Sequence, residues 1–142
     1  MERISRDTMM MRIALVVAER STCQRRKVGA VLARDGRIIS LGYAGAPAGQ
    51  PHCSAEICDL SKPCTRTIHA EMNAIAYAAR AGVSTEGSTL YCTLSPCIDC
   101  AKVIISAGIP RVVYYEHYRA TEGMVFLMNS GIDITLYHRE SP

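Results

Sequence analysis

Residues 90–108 read LYCTLSPCIDCAKVIISAG and contain the clearest evidence for the class of fold. Residues 90–94 form a short β-rich run, and Pro96 stands where a helix can begin. The helical pattern continues to about Ala107 and ends at Gly108. A strand that leads directly into a helix is typical of a β-α-β unit, so this stretch predicts an α/β fold with parallel strands.

The rest of the chain continues the alternation of helices and strands in both directions. Asp35-Gly36 lies between two β-rich runs and predicts a hairpin turn. Ser5 or Asp7 can cap the first helix, and Thr67 can cap the second. The predicted elements are a first helix ending near residue 20, strands 27–33 and 37–43, helix 67–80, strand 90–94, helix 96–107, strand 111–115, helix 121–129 and strand 132–137. This order predicts one α/β layered domain.

Composition limits the class of protein. The 142 residues, 49% of them apolar, suffice for one domain over residues 1–142 with a buried core. The net charge of +3 is too small to imply a nucleic-acid partner by itself. No apolar run approaches the roughly 20 residues of a membrane span, and the N-terminal run, broken by Arg12, lacks a secretory pattern. We therefore expect a cytoplasmic protein, in the host cytoplasm if its source is a virus, with no membrane partner.

Seven cysteines are many for this length, and their odd number argues against a paired disulfide framework. Reduced cysteines that bind metal in a cytosolic protein are the favoured interpretation. Three of the cysteines fall in residues 44–66, a segment rich in Pro, Gly and Ser that has no periodicity. A loop of this length inside a compact domain is uncommon and requires an explanation.

Two short motifs carry metal-ligand chemistry. A His-Ala-Glu sequence opens the second predicted helix, and a Pro-Cys-Ile-Asp-Cys sequence opens the third. The dipole of a helix favours thiolates at its N-terminus. His69, Cys97 and Cys100 would supply three zinc ligands and leave the fourth tetrahedral position open, as in catalytic sites. That position would hold a water whose pKa zinc lowers from 15.7 toward about 7, and Glu71 would carry the protons.

Each motif has a simpler explanation when it is taken alone. A single C-x-x-C occurs in redox proteins, and a histidine two residues before a glutamate can be a pair of exposed helix residues. In this order, however, H-x-E followed by P-C-x-x-C matches the pattern of zinc-dependent nucleobase deaminases. The two motifs together therefore predict hydrolytic deamination.

The chain resembles the deoxycytidylate (dCMP) deaminases of bacteria and their viruses over nearly its whole length. The matching segments are STCQRRKVGAVLARDGRIISLGY, GAPAGQPHC, TIHAEMNAI, TLSPCIDCAKVIISAGI and RVVYYEHY. The resemblance implies a cytidine deaminase-like fold, a three-layer α-β-α sandwich with a central five-stranded mixed sheet. It also implies conversion of dCMP to dUMP for thymidylate synthesis by a homohexamer, with dCTP as activator and dTTP with Mg²⁺ as inhibitor.

The resemblance suggests a second, structural zinc that would order the long loop, since some members of the family carry one. Four thiolates would close a tetrahedral site and offset the entropy cost of ordering the segment. Two alternatives stay open, namely that some of these cysteines are small buried residues and that His52 replaces one thiol. Cys92 is left over and is most simply a core residue. The predicted ligands are Cys23, Cys53, Cys58 and Cys64.

The nucleotide-binding residues are predicted partly from charge and partly from the resemblance. The phosphate requires cationic donors, and of the basic residues 25–27 we favour Arg26, while at least one of the others is a solvated surface charge. Tyr115 and Tyr118 are predicted to stack on or border the base, although either can be ordinary packing. Ser95 is expected to line the substrate site. Arg80 resembles a position linked to the effector response at a subunit contact.

One position departs from the family pattern. Family members usually have Gly-Tyr-Asn-Gly where this chain has Ala44 in place of the asparagine. In related deaminases the asparagine binds the sugar hydroxyl, and the loss of such a hydrogen bond costs on the order of 1 kcal/mol. The resemblance therefore leaves the exact nucleotide, and any regulation through this loop, open.

Three alternatives remain at this point. The substrate can be dCTP, or both dCMP and dCTP. A deaminase that acts on a base within tRNA or DNA would share the zinc motifs, but it would be expected to have a broader basic face or more exposed aromatic residues. A zinc-stabilised interaction module would have no use for an open coordination position or for Glu71 beside it.

Overall fold

The computed structural model describes residues 2–138, which form one sheet covered by helices on both faces. Each element lies within a few residues of the position that its sequence pattern predicts. Gly36, with a φ of 72°, completes the tight turn between the first two strands. The elements are α1 (Arg6–Ala18), β1 (Gly29–Arg34), β2 (Arg37–Tyr43), α2 (Ala70–Arg80), β3 (Thr89–Leu94), α3 (Ile98–Ser106), β4 (Arg111–Glu116), α4 (Glu122–Asn129) and β5 (Asp133–Leu136).

The five strands lie in the order β2-β1-β3-β4-β5. Strand β1 is antiparallel to both of its neighbours, whereas β3, β4 and β5 are parallel to one another. Helices α3 and α4 are the crossovers that connect the parallel strands. The predicted mixed sheet with parallel later strands is confirmed, and the carboxyl ends of β3 and β4 lie side by side at one edge.

Alternation along the strands builds a separate core on each face of the sheet. Ala30 and Leu32 of β1 pack in the core beneath α2, α3 and α4. Val31 and Ala33 point the other way and pack with the buried face of α1. The predicted three-layer sandwich is therefore confirmed. Cys92, fully buried in the first core, is the predicted core cysteine.

Helix α2 begins at Ala70 and not directly after Thr67, because the backbone of Ile68 forms a β-bridge with Gly45. The amide of Ile68 donates to the carbonyl oxygen of Gly45 at 2.9 Å, and the amide of Gly45 donates back at 3.4 Å. This bridge joins the two ends of the cysteine-rich segment 46–67, which is therefore a closed loop on the scaffold. We call this segment the insertion loop.

Helix α2 packs closely against strand β2. Gly42 of β2 permits the close approach of α2, since a Cβ there would lie 2.6 Å from the carbonyl oxygen of Ala70. No helix within residues 2–138 is both long enough and apolar enough to cross a membrane.

Candidate active site and metal centre

Two helix N-termini meet at the edge of the sheet where β3 ends. His69 is the N-cap residue of α2 and Cys97 is the N-cap residue of α3, and both have extended backbone conformations. Neither side chain makes the capping hydrogen bond that an N-cap residue usually provides. Both side chains therefore remain available to bind another group. Cys100 lies in the first turn of α3 and points toward the same place.

The donor atoms of His69, Cys97 and Cys100 converge within 4.8 Å of one another, and this is the only such group within residues 2–138. His69 Nδ1 lies 3.3 Å from Cys100 Sγ and 3.5 Å from Cys97 Sγ. Tetrahedral zinc with ordinary bond lengths separates a nitrogen and a sulfur ligand by about 3.6 Å. The two distances are close to this value, so the donor set fits zinc with Nδ1 as the imidazole ligand. Three protein ligands leave one coordination position open.

The electrostatics of the cluster favour an ionised sulfur. Hydrogen bonds from Cys100 and His69 lower the pKa of Cys97 to about 3, although partial burial opposes this effect. The hydrogen bond to Cys97 raises the pKa of His69 to about 9. The hydrogen bond between Cys100 and Cys97, together with burial, raises the pKa of Cys100. The cluster therefore already contains a thiolate, which is the form that binds a metal ion.

Glu71 lies in the first turn of α2, two residues after His69, and is buried with only 5% of its surface exposed. Burial raises its pKa, and a hydrogen bond with Cys100 partly opposes that shift. A carboxyl group with a raised pKa is a stronger base than an exposed one when it is ionised, and it can return the proton that it accepts. Glu71 is therefore suited to move protons next to the three donor atoms.

The cluster opens into a cleft of about 660 Å³, which is within the usual size of small-molecule sites. The cleft runs from the metal-ligand cluster to the loop after β4 and to the insertion loop. Its walls combine apolar, cationic and hydrogen-bonding side chains. The lining residues are Cys23, Gln24, Arg25, Arg26, Val28, Ala44, Leu60, Cys64, Thr67, His69, Ala70, Glu71, Leu94, Ser95, Cys97, His117, Tyr118 and Arg119.

Four of the residues predicted to bind substrate line this cleft, namely Arg26, Ala44, Ser95 and Tyr118. Arg26 is exposed at the mouth of the cleft, and its Nη2 lies 2.9 Å from the Glu116 carboxylate. Ser95 is 3% exposed, and its hydroxyl oxygen accepts a hydrogen bond from the amide of Tyr118 at 2.6 Å. These contacts connect the loop before Cys97 with the loop after β4.

Tyr115 is the one residue predicted to bind substrate that does not line the cleft, and its position fits the alternative of ordinary packing. Side chains alternate along β4, so Tyr114 faces the core beneath α2, α3 and α4, while Tyr115 points to the opposite face of the sheet. There it packs against Tyr137, with the ring centroids 6.0 Å apart. Arg80, at the end of α2, is not among the cleft residues and stacks over the ring of Tyr77 at 5.8 Å.

Several side chains that line the cleft were not singled out by the sequence patterns, among them Leu60, His117 and Arg119. His117 Nε2 lies 3.0 Å from the hydroxyl group of Tyr114. A signal for the last two was available, because residues that follow a parallel strand lie at the edge of the sheet that holds the metal ligands. Leu60 has no such signal, since it belongs to the aperiodic insertion loop.

Of the four cysteines predicted to hold a second zinc, Cys23, Cys53 and Cys64 lie around Thr67. Among residues 2–138, no three of the four sulfur atoms converge within 4.8 Å as the donors of the first cluster do. The Thr67 hydroxyl lies 3.6 Å from Cys53 Sγ and 3.9 Å from Cys23 Sγ, and the Thr67 amide donates to Cys64 Sγ at 3.4 Å. Hydrogen bonds from Thr67 lower the pKa of Cys64 to about 7. Cys58 lines the same cavity of about 140 Å³ as the other three cysteines.

Comparison with known proteins finds similarity to zinc-binding deaminases. Residues 4–116 match the family described as the cytidine and deoxycytidylate deaminase zinc-binding region. ComE operon protein 2 of Bacillus subtilis is 49% identical over 120 residues, which are 84% of this chain and 64% of that protein. This chain therefore spans just under two thirds of the Bacillus protein. The deoxycytidylate deaminase of enterobacteria phage T4 is 38% identical, with 87% of this chain and 86% of the phage protein covered.

A solved structure matches the fold as well. The dCMP deaminase of cyanophage S-TIM5, crystallised in complex with dCMP and dUMP, superposes with a TM-score of 0.82 at 36% identity. The match covers 89% of this chain and 93% of the phage chain. With its motifs, its sheet order and its three-donor cluster in agreement, this chain belongs to the cytidine and deoxycytidylate deaminase zinc-binding family.

Proposed function

We propose that this protein is a zinc-dependent dCMP deaminase that hydrolyses dCMP to dUMP and ammonia and so supplies dUMP for thymidylate synthesis. The observation that carries the proposal is the convergence of His69, Cys97 and Cys100, with buried Glu71 beside them, at the wall of the cleft that His69, Glu71 and Cys97 line. The relatives named deoxycytidylate deaminase support dCMP as the substrate.

The reaction exchanges an amino group for an oxygen atom, so that dCMP and water give dUMP and ammonia. His69, Cys97 and Cys100 would hold the zinc ion. As a Lewis acid, a bound zinc ion would make water a better nucleophile at neutral pH. Glu71 accepts a proton from the attacking water and delivers it to the neighbouring ring nitrogen. The same carboxylate then moves a second proton to the departing amine, which leaves as ammonia.

The cationic mouth of the cleft supports a phosphorylated substrate. Arg26 and Arg119 both line the cleft, and Arg119 has no ion-pair partner within residues 2–138. A guanidinium group can bind two phosphate oxygens at once. A nucleotide whose base lies beside Glu71 would therefore extend its phosphate toward Arg26, with Tyr118 and Ala44 along the walls.

Ammonia release from cytidine, deoxycytidine, dCMP and dCTP, offered in parallel to the purified protein, tests the proposal. We expect dCMP to be the preferred substrate. A preference for an unphosphorylated nucleoside would contradict the phosphate site, and a preference for dCTP would replace the proposed substrate. Glu71→Gln should lower kcat by about 10²- to 10⁴-fold. Glu19→Gln, an exposed change at the end of α1, is the matched control and should leave kcat unchanged.

We also propose that Cys23, Cys53, Cys58 and Cys64 hold a second, structural zinc. Support comes from their common cavity and from the contacts of three of the sulfurs with Thr67. Zinc content per chain tests this proposal, with two ions expected in the wild type and one in Cys58→Ser. Ser54→Ala, in the same loop, should retain two. Loss of one ion in His52→Ala but not in Cys58→Ser would show that His52 is the fourth ligand, and one ion in the wild type would contradict the site.

Regulation and assembly are proposed from the resemblance. We propose a cytoplasmic homohexamer that dCTP activates and that dTTP with Mg²⁺ inhibits, with Arg80 at a subunit contact. The exposed Tyr77 ring beneath the Arg80 guanidinium supports a contact surface at the end of α2. Light scattering would measure the mass, and assays with dTTP, with and without Mg²⁺, would measure the inhibition. Arg80→Ala should reduce the inhibition and leave the basal rate unchanged, and a dTTP-insensitive wild type would contradict the regulation.

A further inference from the structure

The insertion loop contributes one large apolar side chain to the cleft. Leu60 lines the cleft, yet 67% of its surface is exposed. Val28 and Leu94 supply further apolar surface to the same cleft. A ligand that fills a cleft of this kind removes such apolar surface from water, which favours binding. Leu60 is therefore in a position to gain contact when a nucleotide enters.

The turn that presents Leu60 is held from outside the loop by Arg25. One guanidinium nitrogen, Nη2, donates to the carbonyl oxygen of Asp59 at 2.8 Å and also to the carbonyl oxygen of Lys62. These carbonyl groups lie on the two sides of Leu60 in the chain. Arg25 thereby fixes both ends of a four-residue turn to the segment that precedes β1.

A second set of hydrogen bonds closes the turn from within. The Asp59 carboxylate accepts from the amide of Ser61 at 3.0 Å and from the Ser61 hydroxyl at 2.6 Å. Such Asx-type bonds favour a turn but do not attach it to the rest of the domain.

Within residues 2–138, Arg25 is the one side chain outside the loop that hydrogen-bonds to this turn. The proposed structural zinc would hold the chain at Cys58 and Cys64, on either side of the turn, but not the turn itself. Without Arg25 we therefore expect Leu60 to occupy a wider range of positions.

We infer that Leu60 packs against the bound nucleotide and that Arg25 is a positioning residue that holds Leu60 there. The inference rests on the proposed function, because it takes the nucleotide as the occupant of the cleft. It assigns Arg25 a role different from that of Arg26, since the Arg25 guanidinium is engaged with loop carbonyls. Among the described residues, no hydrogen bond joins Arg25 to His69, Glu71, Cys97 or Cys100.

Truncation of Leu60 tests the first half of the inference. Leu60→Ala should raise the KM for dCMP and the dissociation constant for dUMP about tenfold, as expected for the loss of one buried leucine contact. The kcat should stay within about twofold, because Glu71 is untouched. Leu60→Met should restore most of the affinity. Val16→Ala, at 63% exposure on the outer face of α1, is the matched control and should change neither constant.

Substitution of Arg25 tests the second half. Lysine keeps the charge but cannot reproduce the guanidinium contacts with two carbonyl groups. If Arg25 acts through the turn, Arg25→Lys should raise KM nearly as much as Arg25→Ala. The double variant R25K/L60A should then bind no more weakly than L60A alone, because both changes remove the same contact.

The outcomes separate this inference from the proposed function. Equilibrium binding of dUMP, measured by calorimetry, gives a readout that does not depend on turnover, and melting temperatures show that each variant is folded. Three results would overturn the inference alone, provided that the wild type is active. They are an unchanged KM and dissociation constant in L60A, wild-type values of both in R25K, and a loss of affinity in the double variant that equals the sum of the two single losses. A wild type that neither deaminates dCMP nor binds dUMP would overturn the proposed function and this inference with it.

Discussion

The amide of Tyr118 donates a 2.6 Å hydrogen bond to the hydroxyl oxygen of Ser95, which is buried one residue before the Pro96-Cys97 pair. The amide of Ser95 in turn donates to the carbonyl oxygen of Glu116 at 2.8 Å. Two short bonds therefore fix the loop after β4 against the residue that leads into α3. Ser95 holds Tyr118 on the wall of the cleft.

Ser95→Ala should loosen Tyr118 without disturbing the metal ligands. We expect the KM for dCMP to rise about three- to tenfold, because one buried hydrogen bond contributes roughly 1 kcal/mol. Steady-state kinetics would measure the change, and Ser106→Ala on the exposed side of α3 serves as the control. A lower kcat with an unchanged KM would contradict this role, since it would indicate that the hydroxyl acts in the chemical step.

Gly123→Ala should weaken the metal centre from a distance. A Cβ at Gly123 would lie 2.7 Å from the carbonyl oxygen of Cys97 and would also overlap that of Pro96. Helix α4 would have to move away from the start of α3, at a cost of about 1–3 kcal/mol. We expect a lower melting temperature and faster loss of zinc to a chelator, whereas the neighbouring Glu122→Ala should retain both properties. A variant with unchanged zinc retention would contradict the prediction.

Asp7 should make the stability of the domain dependent on pH in the acid range. Its carboxylate accepts two hydrogen bonds from Arg111, at 3.0 and 2.8 Å, and one from the Tyr91 hydroxyl at 2.7 Å. The Arg111 guanidinium lowers the pKa of Asp7 below its ordinary value of 3.8, while partial burial opposes this effect. Because the pKa is lowered in the folded state, this stabilisation is complete above about pH 4–5 and is lost as the pH falls through the folded-state pKa.

Urea unfolding of the wild type and of Asp7→Asn would measure this effect. At pH 7 the variant should be less stable by about 1–2 kcal/mol, because hydrogen bonds to a charged group are replaced by weaker ones. The difference should shrink as the pH falls from about 4 through the lowered folded-state pKa of Asp7, because protons then neutralise the wild-type carboxylate as well. A difference that stays constant from pH 7 to pH 3 would show that Asp7 acts through packing and not through its charge.

Ala44→Asn should restore the side chain that is usual in the family at this position. The backbone of Ala44 is already fixed, since its amide donates to Val28 and its carbonyl oxygen accepts from the Ser21 hydroxyl at 2.6 Å. Only the side chain is free to change the cleft that it lines. One added hydrogen bond to the sugar would raise kcat/KM for dCMP about fivefold. A fall in kcat/KM with an unaltered melting temperature would show that the cleft of this chain is shaped for alanine.

Local patterns were sufficient for most of the fold. The run from β3 into α3 begins as a short β-rich stretch, changes to helical spacing and ends at Gly108, so both elements and their parallel connection were predictable. Thr67 is a good N-cap residue in isolation and so predicts a start of α2 that is too early. In the structure, hydrogen bonds between Ile68 and Gly45 outweigh that local preference.

The metal chemistry can be inferred from local sequence, because the donor types of His69, Cys97 and Cys100 and their places at helix starts are local properties. Which side chains share the cleft with them depends on contacts in the folded chain. Tyr115 and Tyr118 are three residues apart, yet strand alternation sends one to the far face while a hydrogen bond to Ser95 holds the other in place. Contacts of this kind join residues that are distant in the chain, so no local pattern records them.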